Sequence, residues 1–229
     1  MGSLLFVSDI HSNLEALEAV LGAEPDMEVV SLGDAVGYGA SPNEVLSTLR
    51  SVKARCILGN HDQAAVTGET SWFSPRAAMA ALWTRKTLSE ESASLIKSWP
   101  LTREVYVGDA RVVCFHGSPD DPLREYVHPS SHRDVFPRML ANAGSPALAL
   151  GHIHLPFVWR ELEGVVFNPG SVGQPRDGDP RASYAVVSAA GGRLDVKLKR
   201  ARYDVASAAA RIMAAGLPRP LADRLSAGT

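Results

Sequence analysis

A chain of 229 residues, 45% hydrophobic and 21% charged, has the balance of a globular protein able to bury a substantial core. Its net charge of -2, with Arg and Lys scattered, lacks the basic footprint of a protein that binds nucleic acid or an anionic membrane. Two cysteines without CxxC spacing argue against a disulfide framework, and no apolar stretch is long enough to span a bilayer.

At the start, MGSLLFVSD has no positively charged leader region, and its apolar run covers only residues 4–7, so no signal peptide is expected. Phe6 stands where a myristoylation pattern needs Ser or Thr. Residues 4–7 read as a strand. Residues 13–21 follow as a helix, with Leu14, Leu17, Val20 and Leu21 at helical spacing and Ser12 and Glu15 as a capping box. Residues 29–32 give the second strand. Ser41, Pro42 and Glu44 open a second helix that reaches about Arg50, and residues 55–58 give the third strand. This β-α-β-α-β order implies parallel strands joined by right-handed crossovers.

Residues 74–99 are predicted to be largely helical. Three hairpins follow, at residues 104–115 around Gly108-Asp109, 157–167 around Glu163-Gly164, and 184–198 around Gly191-Gly192. Residues 204–215 read as an Ala-rich helix stopped by Gly216 and Pro218. With no linker or repeat, residues 1–229 are expected to form one domain with a parallel half, an antiparallel half and helices outside. Cys56 and Cys114 lie inside strands and are expected to be buried free thiols in a cytoplasmic protein.

The chemistry lies where the strands end. Asp9 and His11 follow the first strand, Gly33-Asp34 the second, and Gly59-Asn60-His61-Asp62 the third. His116-Gly117 follows residues 112–115, and Gly151-His152-Ile153-His154 follows residues 147–150. Each polar residue alone has an ordinary reading as a helix cap or a hydrogen-bonded histidine. Five strands ending alike would require that reading five times over, whereas one metal site explains the pattern once. Ligand sites of α/β sheets lie beyond the carboxyl ends of the strands. In an extended segment, the alternate residues of Asp9-x-His11 and His152-x-His154 would face one site. Two carboxylates, four imidazoles and an amide exceed one ion's needs and suit two. So His-rich a set favours manganese, iron, cobalt, nickel or zinc over magnesium or calcium.

This ordered set of blocks resembles the calcineurin-like metallophosphoesterase superfamily over about residues 4–176. Residues 168–176, NPGSVGQPR, further resemble its small prokaryotic phosphodiesterase branch. Gly37-Tyr38-Gly39 stands where the protein Ser/Thr phosphatases and diadenosine tetraphosphatases carry Asp-Arg-Gly. Ile153 replaces a common Thr at a spacer position. The resemblance implies an α/β fold of two facing mixed β-sheets flanked by helices, a four-layer αββα sandwich. It also implies that Asp9, His11 and His154 bind one metal, that Asn60, His116 and His152 bind a second, and that Asp34 bridges them. His61 would be the catalytic histidine that ligates neither ion, and Asn60, His61 and Arg176 would contact substrate.

Two divalent ions, manganese first in expectation, can hold a bridging hydroxide and clamp phosphoryl oxygens for in-line attack. Against Asp9, Asp34 and hydroxide they leave a single net positive charge, which suits a phosphodiester monoanion slightly better than a monoester dianion. Asp62 reads either as a support for His61 or as a helix cap, and Asn13, Tyr38 and Ser171 as shapers of access. The expected partner is a small phosphoester, with neither membrane nor nucleic acid. A phosphomonoesterase is the alternative enzyme. A non-catalytic scaffold of the same fold would be expected to have lost ligands, and none is missing here.

Overall fold

The computed structural model describes residues 2–132, 134–191 and 193–229. The chain opens with β1 (Ser3–Val7), α1 (Leu14–Ala23), β2 (Glu28–Ser31), α2 (Pro42–Ser51), β3 (Arg55–Cys56), α3 (Asn60–Thr67), α4 (Pro75–Thr87) and α5 (Glu90–Lys97). Next come β4 (Thr102–Val107), β5 (Ala110–Phe115), α6 (Val135–Ala143), β6 (Ala147–Ala149), β7 (Pro156–Glu161) and β8 (Gly164–Pro169). The last elements are β9 (Ala182–Ala190), β10 (Arg193–Ala201), α7 (Val205–Ala214) and α8 (Arg219–Ala227). No helix among the described residues is long and apolar enough to cross a membrane.

The elements form two mixed five-stranded sheets, ordered β10-β9-β1-β2-β3 and β4-β5-β6-β8-β7. Alternation along β1 explains the layering. Leu4 and Phe6 enter the core between the sheets, while Leu5 and Val7 face the outer helices. Between the sheets, Phe6 meets Phe167 edge to face with ring centroids 5.1 Å apart. Leu17, Val20, Leu46, Leu49 and Ile96 cover the outside of the first sheet. Phe136, Met139 and Leu140 of α6 pack with Val113, Phe115 and Val166 of the second. The result is the expected αββα order. A further cluster joins Ala77 and Ala80 of α4 to Ile212 of α7, Leu221 and Leu225 of α8, and Tyr38.

Several expectations need correction. The three expected hairpins form as β4–β5, β7–β8 and β9–β10, but the second half is mixed and not purely antiparallel, because β5, β6 and β8 run parallel to one another inside the second sheet. The β9–β10 hairpin joins the first sheet beside β1, which no local pattern specifies. Gly192 of its anticipated turn lies outside the described residues. Along β10 Leu194 is buried but Leu198 is exposed. The helical stretch over residues 74–99 breaks at Leu88-Ser89, where Ser89 caps a new helix by accepting from Ser92 N. Asn13, not Ser12, caps α1, accepting from Ala16 N at 3.1 Å. Ser41 precedes α2 as expected but makes no side-chain cap bond. Helix α3 was anticipated only through the capping reading of Asp62, and α6 and α8 were missed because each is short and neither starts with a side-chain cap bond.

Cys56 and Cys114 are buried and free, as expected, and burial pushes both thiols up to about 12.

Candidate metal centre

Backbone bonds tie the ends of the strands together before any side chain is considered. Asp9 N donates to Gly33 O and His11 N to Asp34 O, which locks the turn after β1 onto the turn after β2. Gly151 N donates to His116 O, which links the turns after β5 and β6. Val172 N and Gly173 N donate to Ser8 O and Asp9 O, which joins the two sheets' loops. The approach at Gly59 is close enough that a Cβ there would sit 2.2 Å from the Asp34 side chain. Gly37, at φ +99°, leaves room for the His61 ring, which an added Cβ would approach within 2.5 Å.

The side chains converge as anticipated, though not by the anticipated geometry. Asp9 (φ 52°), His11 (φ 49°), Asp34 (φ 53°), His152 (φ 71°) and His154 (φ 61°) all adopt left-handed backbone conformations, so the two pairs are not extended segments. Such conformations cost about 1–3 kcal/mol each in residues other than glycine and persist where the surroundings over-determine them. Here the interlocked turns supply that constraint.

Asp9, His11 and His154 form one group of candidate ligands, and Asp34, His116 and His152 another, all buried. Asp34 touches both, its Oδ2 lying 3.8 Å from His11 Nε2 and 3.4 Å from His116 Nε2. Asn60 Oδ1 lies 2.9 Å from His116 Nε2. The residues expected to act together are therefore brought together.

Hydrogen bonding shows that these groups fit cations. His11 Nδ1 faces Val36 O at 3.1 Å, and His154 Nδ1 faces Gln174 O at 2.6 Å. With those nitrogens donating to carbonyls, each neutral ring presents a lone pair at Nε2. The two Nε2 atoms face each other at 3.1 Å, with Asp9 Oδ1 3.2 Å from the second. Asp9 Oδ1 and His152 Nε2 are buried without a hydrogen-bond partner. In the second group His116 Nδ1 faces Leu32 O at 2.8 Å, so its Nε2 meets Asn60 Oδ1 and Asp34 Oδ2 as another acceptor. Converging, dry acceptors of mixed nitrogen and oxygen character suit divalent transition ions.

Charge tells the same story. Burial opposes ionisation of Asp34, but the imidazoles of His116 and His61 outweigh it and hold its pKa well below the usual carboxylate range. Burial also opposes protonation of His116, yet Asp34 and Asp9 raise it to about 9. In the absence of a cation the site thus draws in a proton. His61 behaves differently. Burial, only partly offset by Asp34, lowers it to about 4 and keeps the ring neutral at neutral pH. Its ring packs between Tyr38 (4.4 Å) and Phe73 (4.6 Å), with His11 at 4.9 Å, and its buried Nδ1 has no partner.

The structure decides between the two readings of Asp62. Its oxygens accept from Val36 N and Gly59 N, each at 3.0 Å, so it caps α3 and anchors the loop after β2, with no bond to His61. Asn13 Nδ2 donates to Gly173 O and Ser171 Oγ to Asp9 O, so both brace loops. Arg176 projects near the Tyr38 hydroxyl, beside the centre. The rim residues Trp72, Phe73, Arg124 and Tyr126 carry no signal in the sequence that would have placed them here. Arg124 lies over the Trp72 ring at 4.8 Å, and Tyr126 stacks on His152 at 4.0 Å.

A family model for the calcineurin-like phosphoesterase superfamily domain matches residues 3–192. The chain belongs to this superfamily. An uncharacterized protein of Methanocaldococcus jannaschii is 36% identical, the match covering 97% of this chain and 96% of that protein. Phosphodiesterase YfcE of Escherichia coli is 28% identical, covering 82% and 88% respectively. The crystal structure of a metallophosphoesterase from Sphaerobacter thermophilus superposes with a TM-score of 0.85 at 35% identity, covering 100% of this chain and 99% of that one. As a calcineurin-like phosphoesterase, the protein is a metal-dependent phosphoester hydrolase, and the two ligand groups are its candidate metal sites.

Proposed function

We propose that this phosphoesterase hydrolyses small phosphodiesters at a two-metal centre. Asp9, His11 and His154 hold one divalent ion, Asn60, His116 and His152 the other, and Asp34 reaches both. The observation that carries this reading is the position of Asp34 Oδ2 between two clusters of buried lone pairs. Ions bound there supply Lewis-acid activation of the attacking water and neutralise the phosphoryl oxygens.

The remaining work falls to the chain's own side chains. His61, neutral and wedged among aromatic rings, offers a hydrogen bond to phosphoryl or leaving-group oxygen as charge develops there. Arg176 adds positive charge at the mouth. Trp72, Phe73 and Tyr126 supply flat surfaces for an aryl or nucleobase substituent. Preference for diesters over monoesters is supported by the modest net charge of the loaded centre and by the phosphodiesterase name of the Escherichia coli relative. Manganese is the first candidate metal, and the free buried thiols fit a reducing cytoplasm.

The deciding experiment compares bis-p-nitrophenyl phosphate with p-nitrophenyl phosphate, using protein whose metal content has been measured. Diester turnover should exceed monoester turnover, with two ions bound per chain. Faster monoester hydrolysis would make the protein a phosphomonoesterase, and a protein holding one ion would remove the dinuclear centre.

A further inference from the structure

Two arginines stand side by side at the edge of the centre with no anion to answer them. Arg176 follows the loop that carries Gln174, and Arg224 projects from α8, which sequence patterning did not reveal. Gln174 is almost completely buried and joins them to the site. Its carbonyl accepts from His154 Nδ1 at 2.6 Å. Its Oε1 accepts from Arg176 Nη2 at 3.5 Å and from Arg224 Nη1 at 3.3 Å.

Among the described residues, neither guanidinium has a carboxylate within ion-pairing distance, whereas Arg181, Arg200 and Arg211 all have one. A guanidinium carries five donors, and one neutral amide oxygen uses a single donor from each. The unspent donors are not sealed from solvent, because neither arginine contributes a buried unpaired atom. Two like charges sharing one amide oxygen repel each other, and an anionic ligand would relieve that repulsion. Burial and the nearness of Arg176 accordingly lower the pKa of Arg224. The Arg176 charge partly opposes the rise that burial gives the Tyr38 hydroxyl, whose ring packs on His11 and His61. The Arg176 backbone N–H donates to His154 O at 3.3 Å, so the pair adjoins the reacting centre.

We propose that Arg176 and Arg224 form an anion subsite that selects phosphoesters carrying a second phosphate beside the one cleaved. Paired guanidiniums match the oxygens of a phosphate dianion through forked hydrogen bonds, which a carboxamide cannot replace. The proposal rests on the phosphodiester reading above and names the substrate feature that reading leaves open.

The test compares thymidine 5′-p-nitrophenyl phosphate with its 3′-phosphorylated form, on metal-loaded full-length protein. Wild type should favour the 3′-phosphorylated substrate by about 10–100-fold, mostly through KM, the range expected of charge-assisted hydrogen bonds. Arg224→Gln should cut that ratio about tenfold or more, and Arg224→Lys, which keeps the charge, should restore part of it. Calorimetry with thymidine 3′,5′-bisphosphate and thymidine 5′-monophosphate should show the same dependence on Arg224. A wild type indifferent to the 3′-phosphate, or a ratio unchanged in Arg224→Gln, overturns the subsite and leaves diester hydrolysis standing. Calorimetric preference that needs Arg224, with neither aryl diester turned over, supports the subsite and removes the diesterase reading.

Discussion

Gly173→Ala tests whether the interlocked turns, and not the ligands alone, set the metal geometry. A Cβ at Gly173 would lie 1.8 Å from Ile10 O, a backbone atom that no rotamer change can move. The contact must open by about 1.5 Å to reach an ordinary carbon–oxygen separation of about 3.3 Å. That movement breaks the Gly173 N to Asp9 O bond (3.0 Å) and the Asn13 Nδ2 to Gly173 O bond (2.9 Å). Two buried hydrogen bonds at about 1 kcal/mol each, plus about 1–3 kcal/mol of overpacking strain, give a loss of about 3–5 kcal/mol. For a chain of this size that lowers Tm by about 6–20 °C. Asp9 would move away from His154, which the next residue, Gln174, holds in place, so the first ligand group should lose its ion. Thermal unfolding and elemental metal analysis read both effects. Gly22→Ala is the control, because nothing lies within 4 Å of a Cβ there. A Tm within about 2 °C of wild type together with undiminished metal content would show that the interlocked turns do not set the ligand positions.

Other outcomes follow from the same geometry. His61→Gln should keep both metals and lower kcat by about 10²–10⁴-fold. Near-normal turnover in that variant would sink the role given to His61. Asp34→Asn keeps the size of the side chain but removes the charge shared by both groups, so metal affinity should fall by more than about 100-fold and activity with it. Equilibrium dialysis of that variant gives the direct check. In the metal-free protein, His116 is raised to about 9, above its ordinary value, so its proton stabilises the fold fully below about pH 6.5 and is lost as pH rises through 9. A metal must displace that proton, so apparent affinity should rise about tenfold per pH unit up to about pH 9. Chelator competition that gives a flat profile from about pH 7 to about 8.5 would show that His116 gives up no proton.

Much of the site was legible because its chemistry sits at strand ends, where a polar residue after an apolar run is conspicuous. Asp9, His11, Asp34, Asn60, His61, His116, His152 and His154 all announce themselves in that way. Arg224 does not, because a lone Arg in a short helical segment looks like any solvated side chain. Trp72 and Arg124 were likewise hidden. Their pairing joins two loops distant in sequence, and nothing local encodes it. Asp62 illustrates the limit from the other side. Its spacing from Gly59 allowed a cap, but only the 3.0 Å contacts to Val36 N and Gly59 N exclude a bond to His61.

Readable from the chain alone are the candidate ligands, the parallel order of the first three strands and the layered class of the fold. These depend on local periodicity and on the kinds of side chain present. Tertiary structure alone decided how Asp9-x-His11 and His152-x-His154 face the centre. Left-handed backbone at five ligand positions is locally unfavourable and becomes stable only when turns from both sheets hydrogen-bond across one another. It also decided that the β9–β10 hairpin joins β1 and that α8 brings Arg224 to Arg176. Pairings over such separations depend on which surfaces the whole chain buries together, and no window of neighbouring residues contains that information.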